Sequence, residues 1–195
     1  INESHAGFLS VEMPDRTTAN LTVSKRSGLA NFKFDETSKV GTVLIGSGVS
    51  STEVSNAMIN ITSNSSCEGF AEGGDFCGSS TNYKLYFVAE FDRAFTSSGT
   101  WAKNVLSEKL NIASGKDSGA YFSFDTTEIS EVNYRIAISY VSIENAKENL
   151  KASIIDGGFS AYKKNAEYAW DSSLSRISID SPNADRKTQF YTHLY

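Results

Sequence analysis

The sequence predicts a mostly β fold, an antiparallel two-sheet β-sandwich followed by an α-helical linker. Two observations support this prediction. Apolar and polar residues alternate over the first two thirds of the 195-residue chain, which is typical of half-buried strands. After Ser142 the spacing of the apolar residues becomes helical. Because the alternating segments are too long and too many for one small sheet, we expect two sheets packed face to face.

The two clearest predicted strands lie at Tyr83–Phe91 and Val132–Tyr140. In each, every second residue is aromatic or aliphatic, and the residues between them are more often polar. This pattern indicates antiparallel strands with one buried face. Glycine and serine clusters predict turns, at residues 46–48, 73–74, 97–99 and 114–115.

The last third of the chain predicts three helices. Ser142 is a typical N-cap, and apolar residues recur at helical spacing from Ile143 to Ile154. A second apolar stripe extends from Phe159 to Leu174. Ser181-Pro182 is typical of a helix start, and we predict a third helix from about Ala184. We therefore expect a β-sandwich domain over residues 1–142 and a helical linker over residues 143–195.

Composition limits the classes of partner. The net charge is −5 and the chain has no run of lysine or arginine, which argues against nucleic acid. Apolar residues make up 39% of the chain, but no apolar run approaches the length of about 18 residues that would predict a membrane span.

The two cysteines, Cys67 and Cys77, flank a glycine-containing segment. They are either free thiols or a local disulfide, and we favour the disulfide; their spacing fits no zinc pattern. Asparagines in N-glycosylation triplets occur at Asn20, Asn60 and Asn64, and the alternation places Asn20 and Asn60 on a solvated strand face. Together these features predict a secreted or extracytoplasmic protein.

Catalytic residues are not identified by the residues alone. Neither His5 nor His193 lies in a nucleophile motif. Paired carboxylates are the groups that hydrolyse glycosides, and the acidic candidates are Glu72, Asp75, Asp92, Asp125, Glu128 and Glu131. Four aromatic residues are candidates for a sugar-stacking platform, namely Tyr83, Tyr86, Trp101 and Tyr121. A non-catalytic carbohydrate-binding sandwich module is therefore one possible function.

A set of short motifs, in order along the whole chain, resembles glycoside hydrolase family 92. Each motif is weak by itself, but their common order is specific. Departures from the family pattern include Ala6 in place of proline and His193 in place of alanine. The matching segments are 6–11, 21–28, 32–34, 76–78, 83–87, 91–95, 132–150, 170–177 and 190–195.

The resemblance implies an exo-acting α-mannosidase that uses bound Ca²⁺ and two carboxylates and inverts the anomeric centre. It also implies that a C-terminal (α/α)6 catalytic barrel follows the linker, with mannose-containing glycans as substrates. No catalytic residue or calcium ligand of the family maps onto this chain, so the chain alone should be inactive. The apolar ending Phe190–Tyr195 suggests a cut in a longer protein, and we expect Phe190, Leu194 and Tyr195 to pack against something.

Overall fold

The computed structural model describes residues 1–46 and 53–195. Within these residues, thirteen strands form two antiparallel sheets, and three α-helices follow them, as predicted. The strands are β1 (Glu3–His5), β2 (Phe8–Glu12), β3 (Thr18–Val23), β4 (Ser27–Lys33), β5 (Val40–Gly46), β6 (Val54–Ile61), β7 (Ser66–Gly73), β8 (Tyr83–Phe91), β9 (Ser97–Ala102), β10 (Val105–Ser107), β11 (Ile112–Ser114), β12 (Gly119–Asp125) and β13 (Glu131–Ser139).

The two sheets differ in size. In the described residues, the large sheet has nine strands in the order β1-β2-β3-β4-β13-β8-β7-β6-β11. The small sheet has four, in the order β10-β9-β12-β5. Every strand pair in the described residues is antiparallel. The sheet order makes neighbours of strands that lie far apart in the sequence, such as β4 and β13.

The strand predictions are accurate at β8, which covers Tyr83–Phe91, and within one residue at β13. The turn predicted at 97–99 is wrong, because these residues begin β9. Gly99 is needed there because a Cβ at this position would lie 2.6 Å from Cε1 of Tyr121. Ser47 and Gly48, which belong to the turn predicted at 46–48, lie outside the described residues.

The core lies between the two sheets. Phe122, Phe124 and Val132 are fully buried there. The ring of Phe91, from the large sheet, lies 4.9 Å from Phe122 and 5.1 Å from Phe124 between centroids. The aromatic contacts between the sheets therefore account for much of the apolar area that folding removes from water.

The helices are α1 (Ile143–Ala152), α2 (Gly158–Leu174) and α3 (Ala184–Leu194). Ser142 caps α1 as predicted, and its Oγ accepts a hydrogen bond from the Asn145 amide at 3.1 Å. The third helix begins at Ala184, as predicted, and the Asn183 side chain caps it by accepting a hydrogen bond from the Arg186 amide. No helix in the described part of the chain is long and apolar enough to cross a membrane.

Helices α1 and α2 cover the outer face of the large sheet. Helix α1 packs on β13 and β8, where Ala146 and Leu150 meet Val88 and Ala137. Helix α2 packs on β2, β3 and β4. In α3, Phe190 and Leu194 are half-buried, and the exposed Tyr195 contacts Trp170 of α2 at 4.8 Å between ring centroids. The apolar end of the chain thus packs partly against its own second helix.

Candidate functional site

Helix α2 meets the sandwich at the turn between β1 and β2, and we call this contact the helix junction (residues 3–8 with residues 159–170). Gly7 lies at its centre with φ of +87°. A Cβ on Gly7 would lie 3.0 Å from the backbone carbon of Ala166 and 3.1 Å from Cδ1 of Trp170. Glycine is therefore required both by the backbone conformation and by the close approach of the helix.

Charged side chains surround the apolar contact at the helix junction. The Lys163 ammonium lies 3.5 Å from the centroid of the Phe8 ring, which is a cation–π contact. Lys163 also lies 3.7 Å from Glu167 and 3.8 Å from Glu3. Nε2 of His5 lies 3.1 Å from Glu3 and 3.5 Å from Glu167. These contacts hold the start of the sandwich against α2.

Three asparagine side chains form a hydrogen-bonded row across the large sheet, which we call the amide row. Asn20 donates to Asn31 at 3.1 Å, and Asn31 donates to Asn133 at 2.9 Å. Asn133 then donates to the Asp92 carboxylate at 2.7 Å. Asn31 also donates to Glu131 at 3.1 Å. Since all the amides donate in one direction towards a carboxylate, each bond polarises the next.

A cleft of about 300 Å³ lies beside the amide row, between the large sheet and α2. Phe159 and Tyr162 form its helical wall, and Asp92 lies on the sheet side. Arg135 and Glu90 also line it and form an ion pair at 3.2 Å. This cleft offers hydrogen-bond acceptors and a guanidinium, so it is suited to binding a polar ligand. Its carboxylates already accept bonds from an amide or a guanidinium, which does not favour a proton donor.

The acidic residues that we considered for acid/base chemistry are dispersed. A hydrogen bond from Lys84 holds the pKa of Glu72 below its usual range. The backbone amide of Thr127 does the same for the pKa of Asp125. Glu131 bonds to Asn31, and Asp75 and Glu128 are exposed. In the described ranges, no cluster of three or more His, Cys, Asp or Glu residues is arranged to hold a metal ion.

The predicted disulfide is not formed, which corrects the sequence analysis. Cys67 lies at the start of β7 and is fully buried between the sheets, where burial raises the pKa of its thiol to about 12. Cys77 is exposed beyond the far end of β7. An extended strand therefore separates the two free thiols, and no flexible loop brings them together.

The glycosylation triplets differ in accessibility. Asn20 is half-buried, and its Nδ2 is already engaged in the amide row. Asn60 is also half-buried in β6, so neither residue lies on the fully solvated face that alternation predicts. Asn64 is exposed in the turn between β6 and β7. Of the three, Asn64 is the most accessible to a modifying enzyme.

The predicted aromatic platform is divided between the two sheets. Tyr83 and Tyr86 belong to β8 and point to opposite faces of the large sheet. Trp101 and Tyr121 belong to the small sheet and share its outer face. The four residues therefore do not form one surface, although Trp101 and Tyr121 do lie near each other.

Several motif residues position the helices on the sandwich. Gly7 receives α2, and the Ser139 hydroxyl donates to Oδ1 of Asn145 at 2.9 Å. Nδ2 of Asn149 donates to the carbonyl of Ile138 at 2.8 Å, beside the buried Leu150. The fold and this junction define the class of protein, a β-sandwich to which a helical region is firmly attached.

Sequence profiles assign the family. The Glycosyl hydrolase family 92 N-terminal domain profile matches residues 2–139. The Glycosyl hydrolase family 92 catalytic domain profile matches residues 145–195. The chain therefore belongs to glycosyl hydrolase family 92 and includes its N-terminal domain. Among curated protein sequences, none matches the chain significantly.

Solved structures of the family share the fold. The chain is 22% identical to the family 92 glycosyl hydrolase ccman5, with a TM-score of 0.85 over 97% of this chain and 27% of that one. It is 25% identical to the α-mannosidase BT3965 from Bacteroides thetaiotaomicron, with a TM-score of 0.84 over 97% of this chain and 26% of that one.

The inverting mannosidase BT2199 from Bacteroides thetaiotaomicron VPI-5482 is 20% identical, with a TM-score of 0.87 over 99% of this chain and 25% of that one. The chain thus spans about a quarter of the length of these structures. At such low identity, the similarity to BT2199 and ccman5 establishes the fold alone.

The amide row and the cleft were not predicted from the sequence. Asn20, Asn31 and Asn133 lie on three strands, and only the register Asn20–Asn31–Asn133 places them side by side. A polar residue within each alternating strand was the available signal. It was weak because polar residues at such positions are usually solvated.

Proposed function

We propose that this chain is the N-terminal part of an exo-acting α-mannosidase that releases mannose from glycans with inversion. The observation that carries the proposal is the consecutive match to both family 92 profiles, first the N-terminal domain and then the catalytic domain. Two of the solved relatives are described as mannosidases, and one of them as inverting.

In this proposal, the sandwich of residues 1–142 is the scaffold on which the catalytic region is built. Residues 143–195 lead into an (α/α)6 barrel, and the helix junction sets the position of that region relative to the sandwich. The contact of Gly7 with Ala166 supports this role, because it involves backbone atoms with little freedom to move.

Inverting hydrolysis needs a general acid and a general base that are about 6.5–9.5 Å apart, with a water between the base and the sugar. The carboxylates at the cleft are bound to other groups, Asp92 to the Asn133 amide and Glu90 to the Arg135 guanidinium. We infer that the catalytic acid and base lie in the barrel, and we assign neither role to a residue of this chain.

We also propose that the whole enzyme depends on Ca²⁺. Calcium prefers six to eight oxygen ligands, usually with several carboxylates. The described residues contain no acidic cluster of that kind, so they do not fit a calcium site. Loss of hydrolysis in a chelator, with recovery on added Ca²⁺ and not Mg²⁺, is the expected result for the whole enzyme.

Secretion is a further part of the proposal. It rests on the glycosylation triplets, of which Asn64 is the most accessible. The absence of the expected disulfide removes one of the reasons for proposing it. Expression in a eukaryotic secretory host, followed by peptide mass mapping, should find glycan on Asn64 more often than on Asn20 or Asn60.

The decisive experiment is hydrolysis by the product of the whole gene that encodes this chain. We expect release of mannose from α-mannobiose and from an aryl α-mannoside, with β-mannose as the first product in a proton NMR time course. The 195-residue chain by itself is the matched control and should show no activity. Activity of the isolated chain, or a first product of α-mannose, would contradict the proposal.

A further inference from the structure

The outer face of the small sheet carries two aromatic rings that rest on glycines. Along β12, Ala120, Phe122 and Phe124 point into the core, so Gly119, Tyr121 and Ser123 point outwards. Trp101 of β9 lies opposite Gly119, and Tyr121 lies opposite Gly99. On the other side of β12, Leu44 of β5 lies opposite Tyr121.

The glycines make space for the rings to lie against the sheet. A Cβ on Gly119 would lie 2.0 Å from Cζ2 of Trp101 and 2.5 Å from its Cε2 and Cη2. A Cβ on Gly46 would lie 3.0 Å from the same Cζ2. The indole therefore spans the backbone of two neighbouring strands and covers them with one of its faces. Its other face is left pointing away from the sheet.

The same face carries hydroxyl groups beside the rings. Ser123 lies opposite both Thr42 and Ser97 across its two neighbouring strands. Its hydroxyl is 3.0 Å from the hydroxyl of Thr42. Thr42 and Ser97 are exposed, while Ser123 is buried between them. Ser97, Ser123 and Thr42 thus form a polar row across the sheet, next to the row that contains Tyr121.

This face is almost without charge. The outward positions of β5, β9 and β12 include a single charged residue, Asp125, at the end of the sheet. Leu44 is 67% exposed, and Leu106 of β10, opposite Trp101, is 59% exposed. The outer face of the large sheet differs, since it carries ion pairs such as Lys84–Glu72 and Arg135–Glu90.

The helices lie on the other side of the molecule. Helix α2 and most of α1 lie in the region that matches the catalytic domain profile, and both helices pack on strands of the large sheet. In the described part of the chain, no helix packs extensively on β5, β9, β10 or β12. The helices α1 and α2 therefore leave this face uncovered.

We propose that the outer face of the small sheet binds a neutral glycan. The face of an aromatic ring is electronegative and attracts the polarised C–H groups of a pyranose. Trp101 and Tyr121 provide two such faces, and Thr42 and Ser97 provide partners for sugar hydroxyls. An uncharged ligand suits an uncharged surface, whereas a nucleic acid or an anionic polysaccharide would need cations that this face lacks.

The choice of α-mannan as the glycan rests on the proposed function of the enzyme. The test is electrophoresis of the full chain in native gels with and without soluble yeast α-mannan. We expect mannan to retard the wild type. Trp101→Ala should raise the apparent Kd by about tenfold, or ~1.4 kcal/mol. Tyr168→Ala removes a tyrosine that is 76% exposed on α2, and it should leave the retardation unchanged.

A second variant separates loss of binding from loss of folding. Leu44→Glu places a charge on the neutral face at an exposed position, so it should abolish retardation without changing the Tm. Equal migration of the wild type in gels with and without mannan would overturn the proposal. A concentration-dependent dimer that Leu44→Glu dissociates would also overturn it, because the face would then be a contact between two copies.

Hydrolysis assays on the whole enzyme distinguish glycan binding at this surface from the proposed mannosidase activity. If Trp101→Ala hydrolyses an aryl α-mannoside at the wild-type rate but polymeric mannan more slowly, the surface binds polymer as proposed. Hydrolysis without any retardation by mannan would overturn the surface and leave the mannosidase function intact. Retardation without hydrolysis would overturn the mannosidase function and support the surface.

Discussion

The two outer faces of the sandwich use the same backbone architecture for different purposes. The large sheet is covered by α1 and α2, and its exposed positions hold amides and ion pairs. The small sheet is uncovered by these helices, nearly uncharged, and carries aromatic rings on glycines. This difference shows that one face is built to hold another part of the same protein, while the other is suited to a ligand.

The largest expected loss in the free energy of unfolding comes from a substitution in the core between the two sheets. Phe122 is fully buried, with ring centroids 4.9 Å from Phe91 and 5.2 Å from Phe95. Phe122→Ala should lower the free energy of unfolding by about 3–5 kcal/mol in urea denaturation. Hydrogen exchange should rise in both sheets, since they unfold as one unit.

The control for this prediction is Leu44→Ala on the outer face of the small sheet. Leu44 is 67% exposed, so the free energy of unfolding should change by no more than about 0.5 kcal/mol. Faster exchange in the small sheet alone after Phe122→Ala would show that the two faces belong to separately stable layers.

The second-largest loss in the free energy of unfolding is expected from a substitution in the amide row. Asn31→Asp keeps the shape of the side chain but removes the amide that donates to both Asn133 and Glu131. We expect a loss of about 2 kcal/mol in the free energy of unfolding, because the buried Asn31 loses both donated hydrogen bonds and the new carboxylate lies beside that of Glu131. On the other face, Thr42→Val removes the hydroxyl contact with Ser123 and should cost less than about 1 kcal/mol. Equal losses would contradict the difference between the faces.

Substitutions at the helix junction test how α2 is held against the large sheet. Gly7→Ala and Gly115→Ala both place alanine at positive φ, of +87° and +114°. Only Gly7 faces another element, since a Cβ on Gly115 would have nothing within 4 Å. Gly7→Ala should therefore cost about 1–2 kcal/mol more, from the clash with Ala166. Hydrogen exchange should rise in α2 after Gly7→Ala and stay unchanged there after Gly115→Ala.

The smallest effect near neutral pH concerns Cys67, between the two sheets. Its folded-state pKa of about 12 lies above that of the unfolded chain, so the folded state keeps a proton that the unfolded state loses. The stability that Cys67 contributes is complete below the unfolded pKa and falls as the pH rises towards 12. Cys67→Ala should reduce this slope in unfolding measurements between pH 8 and pH 11, values that bracket the usual thiol pKa of about 8.5.

The two thiols also provide a direct chemical comparison. In the native protein at pH 8, iodoacetamide should modify the exposed Cys77 and leave the buried Cys67 unmodified. Both should react after unfolding. Rapid native modification of Cys67 would show that the contact between the two sheets opens easily.

Local features of the sequence were sufficient for most of the elements. Alternation over 83–91 located β8 because successive side chains of a strand point to opposite faces, so that Phe87, Ala89 and Phe91 share the core face. The side chain of Ser142 identified the start of α1 because capping depends on neighbours along the chain. The resemblance to family 92 rested on such local motifs, and the family profiles confirm it.

Other predictions failed because they depended on distance through space. The Cys67–Cys77 disulfide required a loop where the chain instead forms a strand. The turn at 97–99 was predicted from glycine, although Gly99 is there to receive the Tyr121 ring from the next strand. In both cases the identity of the neighbouring strand, and not the local composition, decided the structure.

The sequence by itself therefore determined the order of strands and helices along the chain, the positions of β8 and β13, and the family. The tertiary structure alone decided that Asn20, Asn31 and Asn133 form one row, that Gly7 meets Ala166, and that Trp101 covers Gly119. The physical reason is that periodicity is a property of consecutive residues. Register and sheet order join residues up to about a hundred positions apart, and both are set by how the whole core packs.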